Sequence, residues 1–492
     1  MKVISALRAP AIKRGRQAAA ATVSARLSSH VTLEPQATGK LIARFGGYSV
    51  GLGMFSADAA DRAQDLRVGL PLASFESGGR NIDKEIYVLV RRLARYGFLE
   101  YCLKPTRKDE DQVIIEPQVA DYWPGKPQLG NADVLVLSRF AYMRRRGNEM
   151  VLESPRAGAL FKICSPEIAS AIAVLSTPQQ INRLRRQDSF PGIELLGLLV
   201  DCQILFKIDV ATDSGLRLIE GDDSLILWDF HDLLFHARST EGRQANPLGG
   251  LYRYAHVVPQ LPPVRPCWPG KKIDLRKFSA AHPEAISRFG KLLHERHSTR
   301  SFDDQRPITL AELSRFLENS ARVLSKRGSV DLGDGGPSVA YAVRPYPSAG
   351  ASYELELYLA VHKCEGLARG FYHYDAGGHR LVLIPARAHE LKALLRRAAF
   401  AMDAPAVPQI LITIAARFGR ISWKYSSLAY ALILKDVGVL TELLYLMATD
   451  MGLGGCAIGS TDIDLFAKMT GIEFHVEGPV GQFALGRASA SD

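Results

Sequence analysis

The sequence predicts an α+β protein built from more than one domain. Its 492 residues are enough for two to four domains, and 47% apolar with 23% charged residues is an ordinary composition for a globular chain. The N-terminal half contains two units in which helical patterns are followed by a strand. The C-terminal half mixes buried-strand patterns with one long apolar helix. Together these observations predict a mixed fold of class α+β.

Charge and cysteine usage exclude several classes of function. The net charge of +10 favours anionic partners, but the basic residues are spread over the whole chain, so we expect no nucleic acid partner. No run approaches eighteen apolar residues, so we expect no membrane span and a cytoplasmic protein. The six cysteines form no CxxC pair, and the five-residue spacing of His231 and His236 does not suit one helix face. We therefore expect reduced thiols and no metal site.

Residues 1–39 are predicted to be a flexible basic tail. Alanine, serine and basic residues dominate its first thirty positions, and the first acidic residue is Glu34. A secretory signal would need a continuous apolar core, which this stretch lacks. The basic tail could contact an acidic segment of a substrate.

Residues 40–150 and 151–220 are predicted to form two winged-helix-like modules. In the second module Ser165 and Pro166 begin a helix, two further short helices come next, and a strand comes last. Its third helix, over residues 191–200, carries no Arg or Lys, which argues against DNA binding. Two interpretations stay open: the modules bind a peptide, for example by strand addition, or they are scaffolding.

Residues 221–284 are predicted to be a linker that leads to a final domain over residues 285–492. Five prolines fall within eleven residues of this linker: Pro259, Pro262, Pro263, Pro266 and Pro269. Such a density prevents both helix and sheet, so we expect an extended connector.

The motif that opens the final domain contains two arginines four residues apart, Arg296 and Arg300, with the hydroxyl of Ser298 between them. Arginine presents a rigid fork of donors that matches phosphate oxygens, and charge-assisted hydrogen bonds are the strong ones. By itself such a string is more often a solvated basic patch. A phosphate site is therefore indicated only if later segments of the chain supply the rest of a cofactor site.

Three such segments come later in the chain, in a fixed order. The first is Pro347, Ser348, Ala349 and Gly350, whose small side chains let the backbone approach a flat ring. The second is Lys424 and Tyr425, which precede a long apolar helix over residues 426–451 and the run Gly454, Gly455 and Cys456. The third is Gly486 and Arg487, at the end of a predicted strand.

In this order the motifs resemble the nitroreductase superfamily of flavin enzymes, and within it the SagB-type azoline dehydrogenases, which act on ribosomally made peptides. The resemblance covers the chain well from about residue 220 onward and the N-terminal part only in outline. It implies a nitroreductase fold that binds FMN, with basic residues at the phosphate and small residues at the ring. The implied FMN-binding residues are Arg296, His297, Ser298, Arg300, Pro347, Ser348, Ala349, Gly350, Gly454, Gly455, Cys456 and Arg487.

The resemblance also implies that Lys424 and Tyr425 are the catalytic pair. An ammonium beside a phenol favours the phenolate, so Tyr425 would remove the Cα proton of the azoline ring while a hydride leaves Cβ for the flavin. Dioxygen would reoxidise the flavin, and thiazoles or oxazoles would be the products. The implied partners are an azoline-containing precursor peptide, a cyclodehydratase and a second copy of the chain in a homodimer.

Two rival functions stay open, and one departure bears on the substrate. The chain could be an NAD(P)H-dependent nitro- or quinone reductase, although such enzymes are single-domain chains of less than half this length. It could also be a peptide-binding clamp built on an inactive flavin fold. Many relatives carry Arg after the tyrosine of the long helix, whereas Ala431 comes after Tyr430 here. The sequence therefore leaves the preference between thiazoline and oxazoline open.

Overall fold

The computed structural model contains two compact units, Met1–Gly221 and Asp222–Asp492. It describes residues 21–45, 47–76, 78–104, 110–187, 190–208, 223–240, 257–267, 269–279, 287–331 and 337–489. The predicted basic tail therefore lies outside the described residues over positions 1–20. Among the described helices, none has both the length and the apolar character that a membrane span requires.

The N-terminal unit is built around an antiparallel sheet of seven strands. The strands of the whole unit, in chain order, are β1 Thr22–Leu27, β2 Val31–Pro35, β3 Lys40–Phe45, β4 Tyr48–Met54, β5 Leu70–Pro71, β6 Leu99–Lys104, β7 Val113–Pro117, β8 Val134–Leu137, β9 Tyr142–Arg146, β10 Glu149–Glu153, β11 Ala159–Ile163, β12 Gln179–Gln180 and β13 Leu205–Ile208. The main sheet has the order β5-β1-β6-β7-β11-β10-β9, and two smaller sheets have the orders β2-β3-β4 and β12-β8-β13.

The helices of this unit bury apolar faces against one shared core. They are α1 Ala57–Arg62, α2 Ala73–Glu76, α3 Asn81–Arg95, α4 Pro166–Val174, α5 Ile181–Leu184 and α6 Ile193–Asp201. In α3 the side chains of Ile86, Leu89 and Leu93 are fully buried on one face, as helical spacing requires. Gly97 comes just after α3 with φ +70°, a conformation that glycine adopts without strain.

The prediction that the basic tail reaches residue 39 is wrong for its second half. Strands β1 and β2 lie within residues 1–39, and β1 pairs with β6, so that Ser24 lies opposite Cys102. Ala25 in β1 is fully buried. The composition of residues 1–39 did not indicate this strand, because it is stabilised by pairing with β6, which lies far along the chain.

The predicted boundary between residues 150 and 151 is also wrong, because it falls inside β10 Glu149–Glu153. The three helices α4, α5 and α6 and the strand β13 after them are confirmed. However, β13 pairs with β8, which precedes the predicted boundary. The two proposed modules thus share strands and one continuous core of buried residues that runs from Ala25 to Leu205.

The C-terminal unit has a six-stranded antiparallel sheet with the order β18-β17-β16-β19-β21-β20 and a separate hairpin of β14 and β15. Its strands are β14 Ser325–Asp331, β15 Ser338–Val343, β16 Leu355–Val361, β17 Gly370–Asp375, β18 Arg380–Ile384, β19 Ile410–Arg417, β20 Gly454–Ile458 and β21 Glu477–Gly486. Its helices are α7 Asp223–Ile226, α8 Phe230–Ser239, α9 Arg276–Ser279, α10 Arg288–Glu295, α11 Leu310–Ala321, α12 Ala388–Met402, α13 Phe418–Ser422, α14 Ala429–Asp450 and α15 Ile463–Thr470.

Local sequence patterns account for two helices of this unit. Thr309 caps α11, and a capping box joins it to Glu312, as the T-x-x-E spacing favours. The long apolar helix is confirmed as α14, which has 22 residues. Its buried positions include Tyr430, Ile433, Leu440 and Leu444.

The first part of the predicted linker is folded rather than extended. Helices α7 and α8 lie in residues 221–284, and α8 contacts α14 within the same compact unit. Leu233 and Ala237 of α8 are buried in this unit, although Phe235 is exposed, so one face of the helix belongs to the core. Residues 257–267, which contain four of the five prolines, form no helix or strand, as proline density predicts.

Candidate functional site

Residues 296–300, named the basic segment, come directly after helix α10 and run beside the edge strand β20. The Thr299 N–H donates to the Gly455 carbonyl at 2.8 Å, and the Thr299 side chain is only 1% exposed. A hydrogen bond of 2.8 Å joins Ser298 Oγ to Tyr445 Oη, and the Arg296 guanidinium carbon lies 5.1 Å from the centre of the Tyr445 ring. Arg300 is exposed. The basic segment is thus anchored through Thr299 and Ser298, with its arginines towards the surface.

The glycines of β20 are explained by packing against the basic segment and the sheet. A Cβ on Gly454 would lie 2.5 Å from Thr299 Cγ2, and one on Gly455 would overlap the Phe483 ring. Glycine at both positions lets the basic segment lie directly on β20. Cys456 is 3% exposed, as expected for a small buried residue, and forms no disulfide.

The two remaining residues predicted at the phosphate are placed differently from the arginines of the basic segment. Arg487 Nη2 donates to both carboxylate oxygens of Glu312, at 2.7 and 2.8 Å. Burial would raise the pKa of Glu312, but hydrogen bonds from Thr309 and Arg487 outweigh it and leave that pKa below its usual value. His297 is exposed, with Nδ1 2.9 Å from the Glu295 carbonyl. Arg487 is therefore already held in an ion pair.

Residues 347–350, named the glycine loop, meet the predicted catalytic pair. Lys424 Nζ donates to the Gly350 carbonyl at 3.2 Å. Gly350 has φ +57°, and a Cβ there would overlap Tyr425 Oη and lie 2.6 Å from Lys424 Nζ. Two groups of predicted site residues that are 74 positions apart in the sequence therefore lie together.

Helix α13 and the residues after it position this pair. Arg420, on α13, donates to the carbonyls of Ser352 at 3.0 Å and Ala340 at 2.7 Å. The N–H groups of Lys424 and Tyr425 both donate to the Ile421 carbonyl at 3.0 Å, so the pair continues the turn of α13. Arg420 thus ties α13 to the chain on both sides of the glycine loop.

Two buried carboxyl groups lie beneath the glycine loop, and the sequence motifs did not identify them. Asp436, on α14, accepts hydrogen bonds from Ser348 Oγ and from the Ala349 N–H, both at 2.9 Å. Ser348 Oγ also lies 3.3 Å from Glu354 Oε2. Asp436 is 6% exposed and Glu354 is 0% exposed. Burial, reinforced by the nearby Asp436 carboxyl, raises the pKa of Glu354 to about 7.

Helix α14 holds the two parts of the site at a set separation. Asp436 contacts the glycine loop, and Tyr445 contacts the basic segment. Nine residues of α-helix span about 14 Å. Tyr445 Oη also accepts a hydrogen bond of 2.8 Å from the Ala457 N–H of β20. The only sequence signal for Asp436 was a carboxylate inside an otherwise apolar helical pattern.

An aromatic cluster fixes the start of α14. His236 on α8 is 0% exposed, and its Nδ1 lies 3.1 Å from Tyr430 Oη. Asp232 Oδ2 accepts from the Tyr430 N–H at 3.2 Å, which satisfies one donor at the helix N-terminus. The Trp228 ring lies 4.5 Å from that of Phe418. Sequence reasoning assigned this segment no role because its partners lie about two hundred residues later.

A cavity of about 350 Å³ opens beside Trp423, the residue that precedes the predicted catalytic pair in the sequence. Its lining includes Arg417, Arg420 and Glu477. Burial raises the pKa of Glu477, although a hydrogen bond from Tyr358 opposes this shift. The described residues contain no cluster of His, Cys, Asp or Glu suited to a metal ion.

Comparisons with known proteins match two separate stretches of the chain. Residues 293–487 match the Nitroreductase family, and residues 135–245 match the family described as cyanobactin oxidase ThcOx. A "putative nitroreductase" of Methanocaldococcus jannaschii is 32% identical over 171 residues, which cover 34% of this chain and 77% of that protein. These matches define the C-terminal unit as an oxidoreductase domain of nitroreductase fold. The chain belongs to the nitroreductase family, and the recognition made from its motifs is confirmed.

Two solved structures illustrate the range of similar folds. One chain of the E. coli microcin synthetase McbBCD complex with truncated pro-MccB17 bound is 18% identical, with a TM-score of 0.39. The alignment covers 57% of this chain and 99% of that one. A "putative nitroreductase" from Exiguobacterium sibiricum in complex with FMN is 15% identical, with a TM-score of 0.28, and the alignment covers 42% of this chain and 92% of that one.

The donor set fits a cofactor that carries a phosphate. Arg296, Ser298 and Arg300 lie on one short segment anchored to β20, and forked guanidinium groups suit phosphate oxygens. At the other end of α14, Gly350 provides a side-chain-free surface beside Lys424 and Tyr425. Arg487 fits less well because Glu312 already occupies its guanidinium.

Proposed function

We propose that the protein uses FMN to oxidise thiazoline or oxazoline rings of a ribosomally made peptide to thiazoles or oxazoles. The observation that carries this proposal is the meeting of Lys424 and Tyr425 at Gly350. A general base must lie within reach of its proton, and Tyr425 Oη and Lys424 Nζ lie against the backbone of Gly350, in the loop predicted to border the flavin ring. The matches to cyanobactin oxidase and nitroreductase families support the proposal.

The cofactor would be held at both ends of helix α14. Arg296, Ser298 and Arg300 would bind its phosphate, and the glycine loop with Gly454, Gly455 and Cys456 would border its ring. When bound, FMN supplies the two-electron oxidant that accepts the hydride from the azoline Cβ, and dioxygen restores it with release of hydrogen peroxide. His297 and Arg487 would have supporting roles, since the Arg487 guanidinium is engaged by Glu312.

The chain's own residues would carry the proton chemistry. Tyr425 would accept the proton from the azoline Cα, and Lys424, which lies beside it at Gly350, would assist. The ring loses one proton and one hydride, and its aromatisation drives the reaction. The cavity beside Trp423 would receive a group of the peptide that flanks the ring.

The proposed partners are a precursor peptide, a cyclodehydratase and a second copy of the chain. Leu428 beside α14 and Val439 on it are apolar and exposed in the single chain, at 45% and 39%. Burial of such a face in a homodimer would remove apolar surface from water. In the N-terminal unit the strand β9 lies at the edge of the main sheet, a position that suits strand addition by an extended peptide.

The first test is an absorbance spectrum of the purified chain, and then addition of an azoline-containing peptide in air. We expect flavin bands, a mass loss of two hydrogens per ring and release of peroxide. A Tyr425→Phe variant should keep the flavin bands and lose turnover by about 10² to 10⁴, the range for loss of a general base. Tyr48→Phe, which changes an exposed tyrosine of the N-terminal unit, is the matched control.

Each other outcome selects a rival function. A yellow protein that is inert toward azolines but consumes NAD(P)H with a quinone would be a reductase. A protein that stays colourless after addition of FMN would be a peptide-binding clamp. Full azoline oxidation by Tyr425→Phe would remove the proposed role of that phenol.

A further inference from the structure

The carboxyl groups of Glu354 and Asp436 have too few hydrogen-bond donors, and one additional proton on the pair would supply a donor. Both lie close to Ser348 Oγ, at 3.3 and 2.9 Å. The Tyr353 N–H also donates to this oxygen at 2.9 Å, so the hydroxyl has one proton to offer and two carboxyl groups to serve. If both carboxyl groups were ionised, two buried negative charges would share the Ser348 proton, and the Ala349 N–H would donate to Asp436 alone.

No cation of the described residues compensates this charge on Glu354. The nearby basic groups pair elsewhere: Arg344 and Arg417 with Glu356, Arg420 with the carbonyls of Ala340 and Ser352, and Lys424 with the carbonyl of Gly350. Tyr346 is buried nearby, and burial raises its pKa, so it stays neutral. Among the described atoms, Glu354 Oε1 is buried without a hydrogen-bond partner.

We propose that Glu354 and Asp436 hold one proton between them, and that this shared proton positions the glycine loop against Lys424 and Tyr425. Asp436 accepts from Ser348 and Ala349, and protonated Glu354 donates within the pair. The two acids are positioning residues. Their effect on turnover rests on the proposed function, whereas the shared proton itself does not.

The geometry explains why such a proton would act on the site. Asp436 accepts directly from the Ala349 N–H, and Ala349 precedes Gly350, whose carbonyl receives Lys424. Ionisation of both acids would repel one carboxylate from the other and weaken the hold of Asp436 on the glycine loop. Glu354 lies just before strand β16, and Asp436 lies on α14, so two rigid elements transmit the change.

The dependence of stability on pH has a definite sign. Folding raises the pKa of Glu354 from 4.5 to about 7, so the folded protein binds this proton more tightly than the unfolded chain. The resulting stabilisation is complete below about pH 4.5 and is lost as the pH rises through about 7. Burial also raises the pKa values of Glu477 and Asp232, but both acids are present in the wild type and in every variant tested.

The experiment measures the melting temperature of the full chain, stripped of FMN, from about pH 5.5 to about pH 8.5, a window that brackets the raised pKa. Glu354→Gln keeps the shape and a donor but cannot ionise, so its melting temperature should lose less with rising pH than that of the wild type, by roughly 5 °C. Glu390→Gln, which changes another buried carboxyl of this unit, should show the wild-type slope. Equal slopes for wild type and Glu354→Gln would overturn the shared proton.

The positioning role is tested by FMN titration of the same proteins, monitored through flavin fluorescence. Wild-type affinity for FMN should fall between about pH 6 and about pH 8.5, and Glu354→Gln should keep a constant affinity over that range. In Asp436→Asn the side-chain amide can donate a hydrogen bond to an ionised Glu354. The melting temperature of this variant should therefore also lose less with rising pH than that of the wild type, although its two side chains share no proton. If FMN affinity and turnover stay the same when the pH rises and in both variants, the positioning role is overturned, even if the stability result holds. Failure of azoline oxidation alone would leave both readouts intact.

Discussion

Helix α14 contacts the two predicted cofactor-binding segments, one near Tyr445 and the other near Asp436, and it holds them by opposite means. At the Tyr445 end, the basic segment lies near the surface, exposes Arg300 and is anchored by a phenol and a backbone hydrogen bond. At the Asp436 end, the glycine loop is held by carboxyl groups that are almost fully buried. Exposed charges stay hydrated, and salt screens their attraction to a ligand. A buried charge has lost its hydration, so its stability depends on every one of its hydrogen-bond and charge partners.

This difference indicates that affinity and chemistry are separable in the site. The basic segment would govern how tightly the cofactor binds, because its groups can gain charge-assisted hydrogen bonds without breaking buried contacts. The glycine loop would govern whether bound cofactor and substrate meet Lys424 and Tyr425 in the right geometry. Variants at each end should therefore move different measured quantities.

The largest expected effect is at Gly350. In Gly350→Ala the new Cβ would displace Tyr425 Oη and Lys424 Nζ, so turnover should fall about 100-fold, as misplacement by about 1 Å can cause. The left-handed backbone should destabilise the protein by only about 1–2 kcal/mol. Steady-state turnover and thermal unfolding measure the two effects.

The matched control is Gly328→Ala, where no atom lies within 4 Å of the new Cβ. It should leave turnover unchanged. Unchanged turnover in Gly350→Ala as well would break the comparison, because the catalytic pair would then not depend on the glycine loop.

A smaller effect is expected at the basic segment. Arg296→Ala or Arg300→Ala should cost about 1.5–3 kcal/mol of FMN binding, the value of a charge-assisted hydrogen bond. This is a rise in Kd of about ten- to a hundredfold, measured by fluorescence titration. Raising the salt concentration should reduce the difference in FMN affinity between these variants and the wild type, because salt screens charges near the surface.

Arg487→Ala sharpens this prediction because the same type of side chain is held by Glu312. It should change FMN affinity much less than Arg296→Ala. An equal loss of affinity in both variants would show that Arg487 is a phosphate ligand. Arg487 would then bind the cofactor in preference to Glu312.

The smallest effect is expected at Tyr445. Tyr445→Phe removes the hydrogen bonds to Ser298 and from the Ala457 N–H, so unfolding free energy should fall by about 1–2 kcal/mol. FMN affinity should fall severalfold, while turnover of the FMN-saturated enzyme should stay near the wild-type value. Tyr372→Phe, which removes one tyrosine hydrogen bond outside the site, should lower stability but spare FMN affinity. A selective loss of turnover in Tyr445→Phe would contradict the separation of the two ends.

Local patterns were sufficient for many elements and for the separate motifs. The long apolar helix α14, the three short helices α4, α5 and α6, and the strand β13 after them were all predicted from short stretches. These features depend on spacing and capping within one segment, so distant residues do not alter them. The short distance between Gly350 and the pair Lys424 and Tyr425 was implied by the resemblance rather than by spacing.

The misassigned regions share one property, which is pairing across long sequence separations. Strand β1 was taken for tail because β6 lies some seventy-five residues away. Helix α8 was taken for linker because Tyr430 and Phe418 lie in another part of the chain. Packing of this kind overrides composition and leaves little trace in the segment itself.

The sequence by itself determined the fold class, because periodicity within short segments indicates helices and strands. It also indicated the family, through the resemblance of its ordered motifs, and that resemblance implied the residues of the site. Only the tertiary structure decided which charges face each other. It placed Glu312 on Arg487, and it buried Glu354 and Asp436 around Ser348. The physical reason is that desolvation and ion pairing depend on distance in space, which no spacing along the chain encodes.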